Sequence, residues 1–398
     1  MWGARTDFLC LADVPDDVLD VPDDVLDAGL DAELDRELNL DHAGRFCRRR
    51  SSKSMHAATD SLLSERADVS FAVRTLPGRG RGIVAVRDIA PGEQLASFAS
   101  FSHTMHDFED VSYSYPHGES LSEACSACLC WSAAAQPLRC EGCASAWCSP
   151  KCRSWSQEKG HALCCAGLSR IHSMKSRKFS PRERSTACFL LRAFAQRASE
   201  ANHRHSQPAL DGEPSFEQAT AQCQQVARSG ASASSAARIV RLAKLQAGRL
   251  VDEADALRLV GAEACNSFHL FDERERVRGS AMYPEAAMIN HSCLPNCVMT
   301  AHGRHLALES ISPISRGEEL TYCYVRSFEA GSKETLDPWG FECDCVRCAG
   351  THPEGGEGLE AFDAKHKCTC GKIVKATMAR VAAESGRCRC HAHNTTSG

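Results

Sequence analysis

Residues 288–297, MINHSCLPNC, crowd two asparagines, a histidine and two cysteines around one proline. Three chemistries compete for such a stretch: metal ligation, a Cys/His nucleophilic centre, or a tight turn that binds a polar ligand. A Cys/His hydrolase needs its base to face the nucleophile across a substrate, held by an orienting group. His291 and Cys293 are too close in the chain to do this easily, so the hydrolase reading is the weakest of the three.

A second set of candidates lies upstream. Cys125 and Cys128, Cys140 and Cys143, Cys148 and Cys152, and His161 and Cys165 form four pairs spaced by two or three residues. A pair at that spacing reaches one ion from a single turn, and two pairs close a tetrahedral shell. Eight ligands therefore predict two zinc sites. The 398-residue chain holds 24 cysteines and shows no export signal, which favours metal binding over disulfides. Soft thiolates mixed with imidazole favour zinc. A module of about 40 residues builds little apolar core, so the metal would supply its folding energy. Cys130 and Cys164 are spare thiols in this register.

These groups need elements to position them. FAVRTL, GIVAV and EQLASF, between Phe71 and Phe98, read as short strands separated by Gly- and Pro-containing turns. Residues 181–201 and 236–262 read as helical, with Ile239, Leu242 and Leu245 at helical spacing. The His/Pro stretch 202–215 and the small-residue stretch 229–237 read as flexible. Strands resume near Phe268. CVMTAHGRHLALESI predicts a hairpin turning at His302-Gly303, and ISRGEELTYCYV echoes the earlier IAPGEQLASF. No apolar run approaches the ~18 residues of a membrane span, and the expectation is a soluble intracellular protein. Residues 1–45 carry 13 Asp/Glu against 3 Arg, so the remainder is mildly basic although the whole chain is at −5. The tandem heptapeptide VPDDVLD at 14–27 carries a proline in each copy, which predicts a disordered acidic tail, or else a docking segment. The basic run at 48–54 reads as linker.

Taken in order, GRGRG (78–82), the cysteine module, CNSF (265–268), NHSC (290–293), GEELTYCYV (317–325) and FECDCVRC (341–348) resemble the SET and MYND domain-containing (SMYD) family of protein-lysine methyltransferases. The resemblance covers roughly residues 69–350. It implies an α+β architecture: a β-rich SET fold split by a zinc-binding MYND finger and a helical insert, then a Cys-rich post-SET segment. The expected divisions are an acidic tail (1–65), the first part of SET (69–124), the MYND finger (125–165), the helical linker and insert (166–262), the SET core (263–328), the post-SET segment (329–350) and a Cys/His tail (351–398).

The resemblance also implies roles. Tyr324 matches the active-site tyrosine, with Tyr322 a nearby decoy. Arg79, Gly80, Arg81, Asn266, Asn290, His291, Tyr324 and Phe341 match positions around S-adenosylmethionine, His291 as a hydrogen-bonding fixture more than a proton shuttle. Phe268 and Trp339 would wall the lysine channel; relatives usually carry tyrosine where Trp339 stands, a change expected to affect methylation state or turnover. AMYPEA (281–286) replaces the more usual Gly-Leu-Tyr stretch. In the MYND finger the first and third pairs would share one zinc, and the second and fourth another. Cys293 would complete a third zinc with Cys343, Cys345 and Cys348, leaving Cys297 as a small buried residue. A further zinc could use Cys368, Cys370, Cys388 and Cys390 in a ribbon-like shape.

The implied activity is methyl transfer to a lysine of a histone or other protein. The expected partners are that substrate and proline-containing peptides on the MYND finger, with weak nucleic-acid contact, no membrane, a monomeric state and a cytoplasmic or nuclear location. The alternative is a MYND adaptor or transcriptional regulator on a catalytically weak SET scaffold. A zinc ubiquitin-ligase reading fits the ligand order less well.

Overall fold

The computed structural model describes residues 70–105, 124–130, 137–174, 178–203, 213–221, 233–271, 277–325, 336, 339, 341–369 and 371–385. The acidic repeat, the basic run and Cys370, Cys388 and Cys390 lie outside them.

The strand-built part is an assembly of small sheets. β1 (Phe71–Leu76), β2 (Gly80–Ala85), β12 (Glu319–Tyr322) and β9 (Asn290–His291) lie side by side in that order. β3 (Gln94–Ala99) joins the hairpin of β10 (Cys297–His302) and β11 (His305–Ser310), and β4 (Ser102–Met105) joins β8 (Val277–Met282) and β7 (Ser267–Phe271). Leu306 and Leu308 alternate inward on β11, as the sequence pattern requires. The hairpin pairs His302 with His305, so its loop is Gly303-Arg304, one residue beyond the expected turn. Phe98, Ile83, Ile289, Leu308 and Leu320 share one apolar core.

The echo between IAPGEQL and ISRGEEL has a structural basis. Ile89 and Ile314 exchange both backbone hydrogen bonds, at 2.8 and 3.0 Å. Gly92 and Gly317 take matching positive φ angles, 84° and 91°, which only glycine adopts cheaply. In each copy the glutamate after the glycine accepts the amide three residues back: Ala90 onto Glu93 and Ser315 onto Glu318. One turn device is thus used twice, and the copies meet face to face.

The zinc-finger region supplies β5 (Leu138–Arg139), β6 (Ala146–Trp147), α1 (Pro150–Glu158) and the start of α2 (His161–Ser173). The insert follows as α3 (Pro181–His203), α4 (Phe216–Ala221), α5 (Ala233–Ala247) and α6 (Glu253–Asn266). Ser180 and Glu183 start α3 with a reciprocal capping box: the Ser180 amide donates to the Glu183 carboxylate and the Glu183 amide to the Ser180 hydroxyl, with Pro181 at the first helical position.

The periodicity across 236–262 does not give one helix. The chain leaves α5 through a 3-10 turn at Gly248–Leu250, with Gly248 at φ 55°, and Asp252 caps α6 afresh by accepting the Asp255 amide at 2.9 Å. The buried face of α5 is Ala236, Ile239, Val240, Leu242 and Ala243, whereas Leu245 is 43% exposed. Residues 233–237, read as flexible, are the first turn of α5, and α3 runs two residues past its expected end.

Helices and strands share one apolar seam, since Phe101 and Met282 belong to the core of the insert. The zinc finger is tied to the strand-built part at the β10–β11 turn. Arg304 lies 4.4 Å from the Trp155 ring on α1 and pairs with Glu213, which also accepts from Lys159 at 3.3 Å. Within the expected Cys/His tail, the described residues form α7 (Gly355–His366) and α8 (Ala376–Ser385) on either side of Cys368.

Candidate active site and metal clusters

Three groups of metal-ligating atoms stand out, each with all members within 4.8 Å of one another: Cys125, Cys128, Cys148 and Cys152; Cys140, Cys143, His161 and Cys165; and Cys293, Cys343, Cys345 and Cys348. They coincide with the three expected sets, including the interleaving of pairs. The spacing fits the metal. Four sulfurs about 2.3 Å from a tetrahedral zinc sit about 3.8 Å apart. The thiols are at 3.7 Å (Cys128–Cys148), 3.5 Å (Cys148–Cys152), 3.7 Å (Cys293–Cys343) and 3.6 Å (Cys293–Cys348), and His161 Nε2 is 3.4 Å from Cys140. That is too far for a disulfide and right for a shared ion. With four protein ligands each, the clusters have the closed form of structural zinc sites. Of the proposed fourth set only Cys368 is described; it is buried and packs with Val374 and Met378.

The third cluster borders a cavity of about 790 Å³. That volume lies within the ~300–1,000 Å³ usual for small-molecule sites. Its lining gathers Arg79, Gly80, Arg81, Asn266, Phe268, Asn290, His291, Tyr324, Trp339 and Phe341, from five separate segments of chain. All the residues singled out for cofactor and substrate therefore meet in one place.

The local folding explains the convergence. β9 is a two-residue parallel strand on β12, with Asn290 opposite Thr321 and His291 opposite Tyr322. This sets NHSC beside β12, whose chain continues two residues on to Tyr324. The His291 ring then links cluster and tyrosine. Its Nδ1 accepts the Tyr324 amide at 3.0 Å, so Nε2 carries the proton and faces Cys293 Sγ, also at 3.0 Å. Burial pushes its pKa down to about 4, and both ring nitrogens are occupied. Both contacts hold the ring in place between Cys293 and Tyr324.

Tyr324 is itself enclosed. Its hydroxyl donates to the Ile289 carbonyl at 2.8 Å, and the rings of Tyr322, His291, Trp339 and Phe341 stand 4.7, 5.1, 5.3 and 6.3 Å away. Burial raises its pKa well above the ordinary phenol value, with Glu319 adding to the rise, so the phenol stays protonated. Tyr322 stacks on Phe268 at 5.8 Å, and Phe268 meets the fully buried Tyr283 edge-on at 5.5 Å. Trp339 donates its indole N–H to the Cys265 carbonyl at 3.0 Å, which fixes this aromatic wall to the end of α6.

Both arginines line the cavity and also bond to the protein. Arg79 gives its guanidinium to the His291 carbonyl (2.6 Å), Glu319 (3.3 Å) and Asp344 (3.5 Å). Arg81 reaches the Ala221 carbonyl of α4 at 3.5 Å. Gly82 is needed for close approach: a Cβ there would lie 2.4 Å from Leu76 Cδ1, 2.8 Å from Glu319 and 2.9 Å from the Asn290 amide.

Several residues at the site were missed. Glu319, behind the lining residue Asn290, accepts its amide at 2.8 Å, yet in GEELTY it reads as one more solvent-facing acid. Asp344 sits between two metal ligands, where only the cysteines drew notice. Met288, Val298, Met299 and the Lys372-Ile373 pair also line the cavity, and no local pattern marks them.

The SET domain model matches residues 80–325, more than half of the chain. The chain belongs to the SET-domain family. The SET-and-MYND resemblance holds beside it. Histone-lysine N-methyltransferase SMYD3 of Mus musculus is 29% identical over 280 residues, 69% of this chain and 60% of that protein. N-lysine methyltransferase SMYD2-A of Xenopus laevis is 25% identical, covering 69% of this chain and 59% of its own length. A SET and MYND domain-containing protein of Dictyostelium discoideum is 32% identical over 89 residues, 22% of this chain and 23% of its own. The chain thus spans about 60% of the length of the SMYD3 relative. A solved structure of Rubisco LSMT bound to AdoMet aligns over 74% of this chain and 57% of that one, at 13% identity and a TM-score of 0.30, too slight a likeness to argue from. Among the described residues no helix is long and apolar enough to cross a membrane.

Proposed function

We propose that this SET-domain chain is an S-adenosylmethionine-dependent protein-lysine N-methyltransferase whose three zinc ions are structural. The observation that carries the reading is the convergence of all the family-matched positions on one cavity, around a buried and protonated Tyr324. The cofactor, when bound, supplies a methyl group on a sulfonium. The chain's task is then to align a neutral lysine amine with that group and to exclude water. Tyr324, fixed through its own hydroxyl and through His291, holds that geometry. Phe268 and Trp339 wall the approach, Trp339 held by the Cys265 carbonyl. Asn290, Asn266, Gly80, His291 and Phe341 line the cofactor side together with Arg79 and Arg81, which are also anchored to the protein through His291, Glu319 and Ala221.

The substrate is a lysine-bearing protein, histone or other. The MYND finger takes proline-containing peptides, direct nucleic-acid contact by the chain is weak at most, and the chain acts as a monomer in the cytoplasm, the nucleus or both. Purified chain incubated with labelled cofactor, a histone panel and a cell lysate tests the activity. Label should reach protein, and Tyr324→Phe, which loses the bond to Ile289, should lower the rate about tenfold or more. Absence of both calorimetric cofactor binding and Tyr324-sensitive labelling would refute the reading.

A further inference from the structure

We infer that Glu319 is a positioning residue: it orients the Asn290 side-chain amide so that its oxygen offers a ligand in this part of the cavity a hydrogen-bond acceptor, suited to a protonated amine. The inference rests on the cofactor reading above and adds to it a determinant of polarity.

An asparagine amide can face either way, and its neighbours decide. Asn290 Nδ2 lies 3.0 Å from the Arg81 carbonyl and 2.8 Å from Glu319 Oε1. Both partners are pure acceptors, so the NH2 must face them and both its hydrogens are used. Oδ1 is left as the side-chain atom with capacity for a ligand. Because Asn290 lines the cavity, a ligand there meets an acceptor, which suits a donor such as a protonated amine.

Glu319 is itself held. Its other oxygen pairs with Arg79 at 3.3 Å, and the side chain is 17% exposed. The absence of a side chain at Gly82 leaves room for both groups, since a Cβ would come within 2.9 Å of each. A carboxylate can accept from Asn290 and Arg79 together. A glutamine of the same shape cannot, because one of its two ends would set a donor against a donor.

The test is a binding measurement, independent of turnover. S-adenosylhomocysteine carries the amino-acid part, whereas 5′-methylthioadenosine has the same nucleoside without it. In calorimetry Glu319→Gln should bind S-adenosylhomocysteine about tenfold more weakly and 5′-methylthioadenosine within about twofold of the parent chain. Asn290→Ala should show the same loss, and adding Glu319→Gln to it should cost nothing further, since one residue acts through the other. Thermal midpoints are recorded first; if the glutamine variant does not fold, Glu319→Asp, too short to reach the amide, carries the same expectation. Equal weakening for both ligands, or additive losses in the double variant, would show a merely structural role and overturn the inference. Unchanged binding of both ligands would overturn it as well. If the parent chain binds neither ligand, the cofactor reading falls and the inference with it.

Discussion

Replacing Arg304 with alanine should loosen the junction of zinc finger, insert and SET strands. Arg304 and Glu213 are only 13% and 14% exposed, and the guanidinium makes a two-pronged contact with the carboxylate while lying over Trp155. Burial works against the Glu213 charge, but Arg304 and Lys159 outweigh it and hold the carboxyl below its usual pKa, so the pair is ionised at neutral pH. Breaking a buried ion pair costs about 3–5 kcal/mol because the surviving charge keeps its desolvation penalty. The cation–π contact adds about 0.5–2 kcal/mol. Lys159 remains beside Glu213 and offsets part of this, so a destabilisation of about 3 kcal/mol is expected. Urea titration of the zinc-loaded chain, followed by tryptophan fluorescence at neutral pH, reads it directly. Arg304→Lys should recover less than half, because an ammonium cannot fork onto the carboxylate. A change within about 0.5 kcal/mol for Arg304→Ala would mean that the finger does not depend on this contact.

Metal analysis of Cys293→Ser should return one zinc fewer than the parent chain; an equal count would remove Cys293 from the cluster. Gly82→Ala should cost about 1–3 kcal/mol in stability, the usual range for overpacking, and should weaken cofactor binding, because its new methyl meets Leu76, Glu319 and Asn290 at once. Normal stability and binding in that variant would contradict the close approach. Trp339→Phe keeps an aromatic wall but removes the indole bond to the Cys265 carbonyl, and should lower the methylation rate more than cofactor affinity; an unchanged rate would show that the indole N–H is dispensable.

The metal clusters were legible because ligand spacing is itself a geometric statement: residues two to four apart can share an ion from one turn. The cavity was legible from motifs that mark points of contact between segments far apart in sequence, such as GRGRG and NHSC. Composition and periodicity failed where tertiary context decides. Leu245 keeps helical spacing with Leu242, yet faces solvent because the packed stripe runs through Val240 and Ala243. The break at Gly248 was hidden because apolar residues resume at helical spacing on its far side. Glu319 was missed for a different reason: an acid in a strand looks solvated until the strands that flank it are known, here β2 and β9.

The two asparagines of NHSCLPN show how one turn serves two purposes. Asn290 spends its amide on Arg81 and Glu319 and lines the cavity. Asn296 turns the other way, donating to the Glu319 carbonyl at 2.8 Å and accepting the Thr321 amide at 2.9 Å, so it clamps β12 in register. Between them His291 and Cys293 pass the position of the third cluster to the Tyr324 backbone through two contacts of 3.0 Å. The third zinc therefore needs no open coordination site to matter for chemistry. Bound there, it would hold Cys293, whose sulfur faces the imidazole, and the imidazole accepts the amide of Tyr324, two residues past the end of β12. A metal held for shape alone thus sets the geometry on which methyl transfer at Tyr324 would depend.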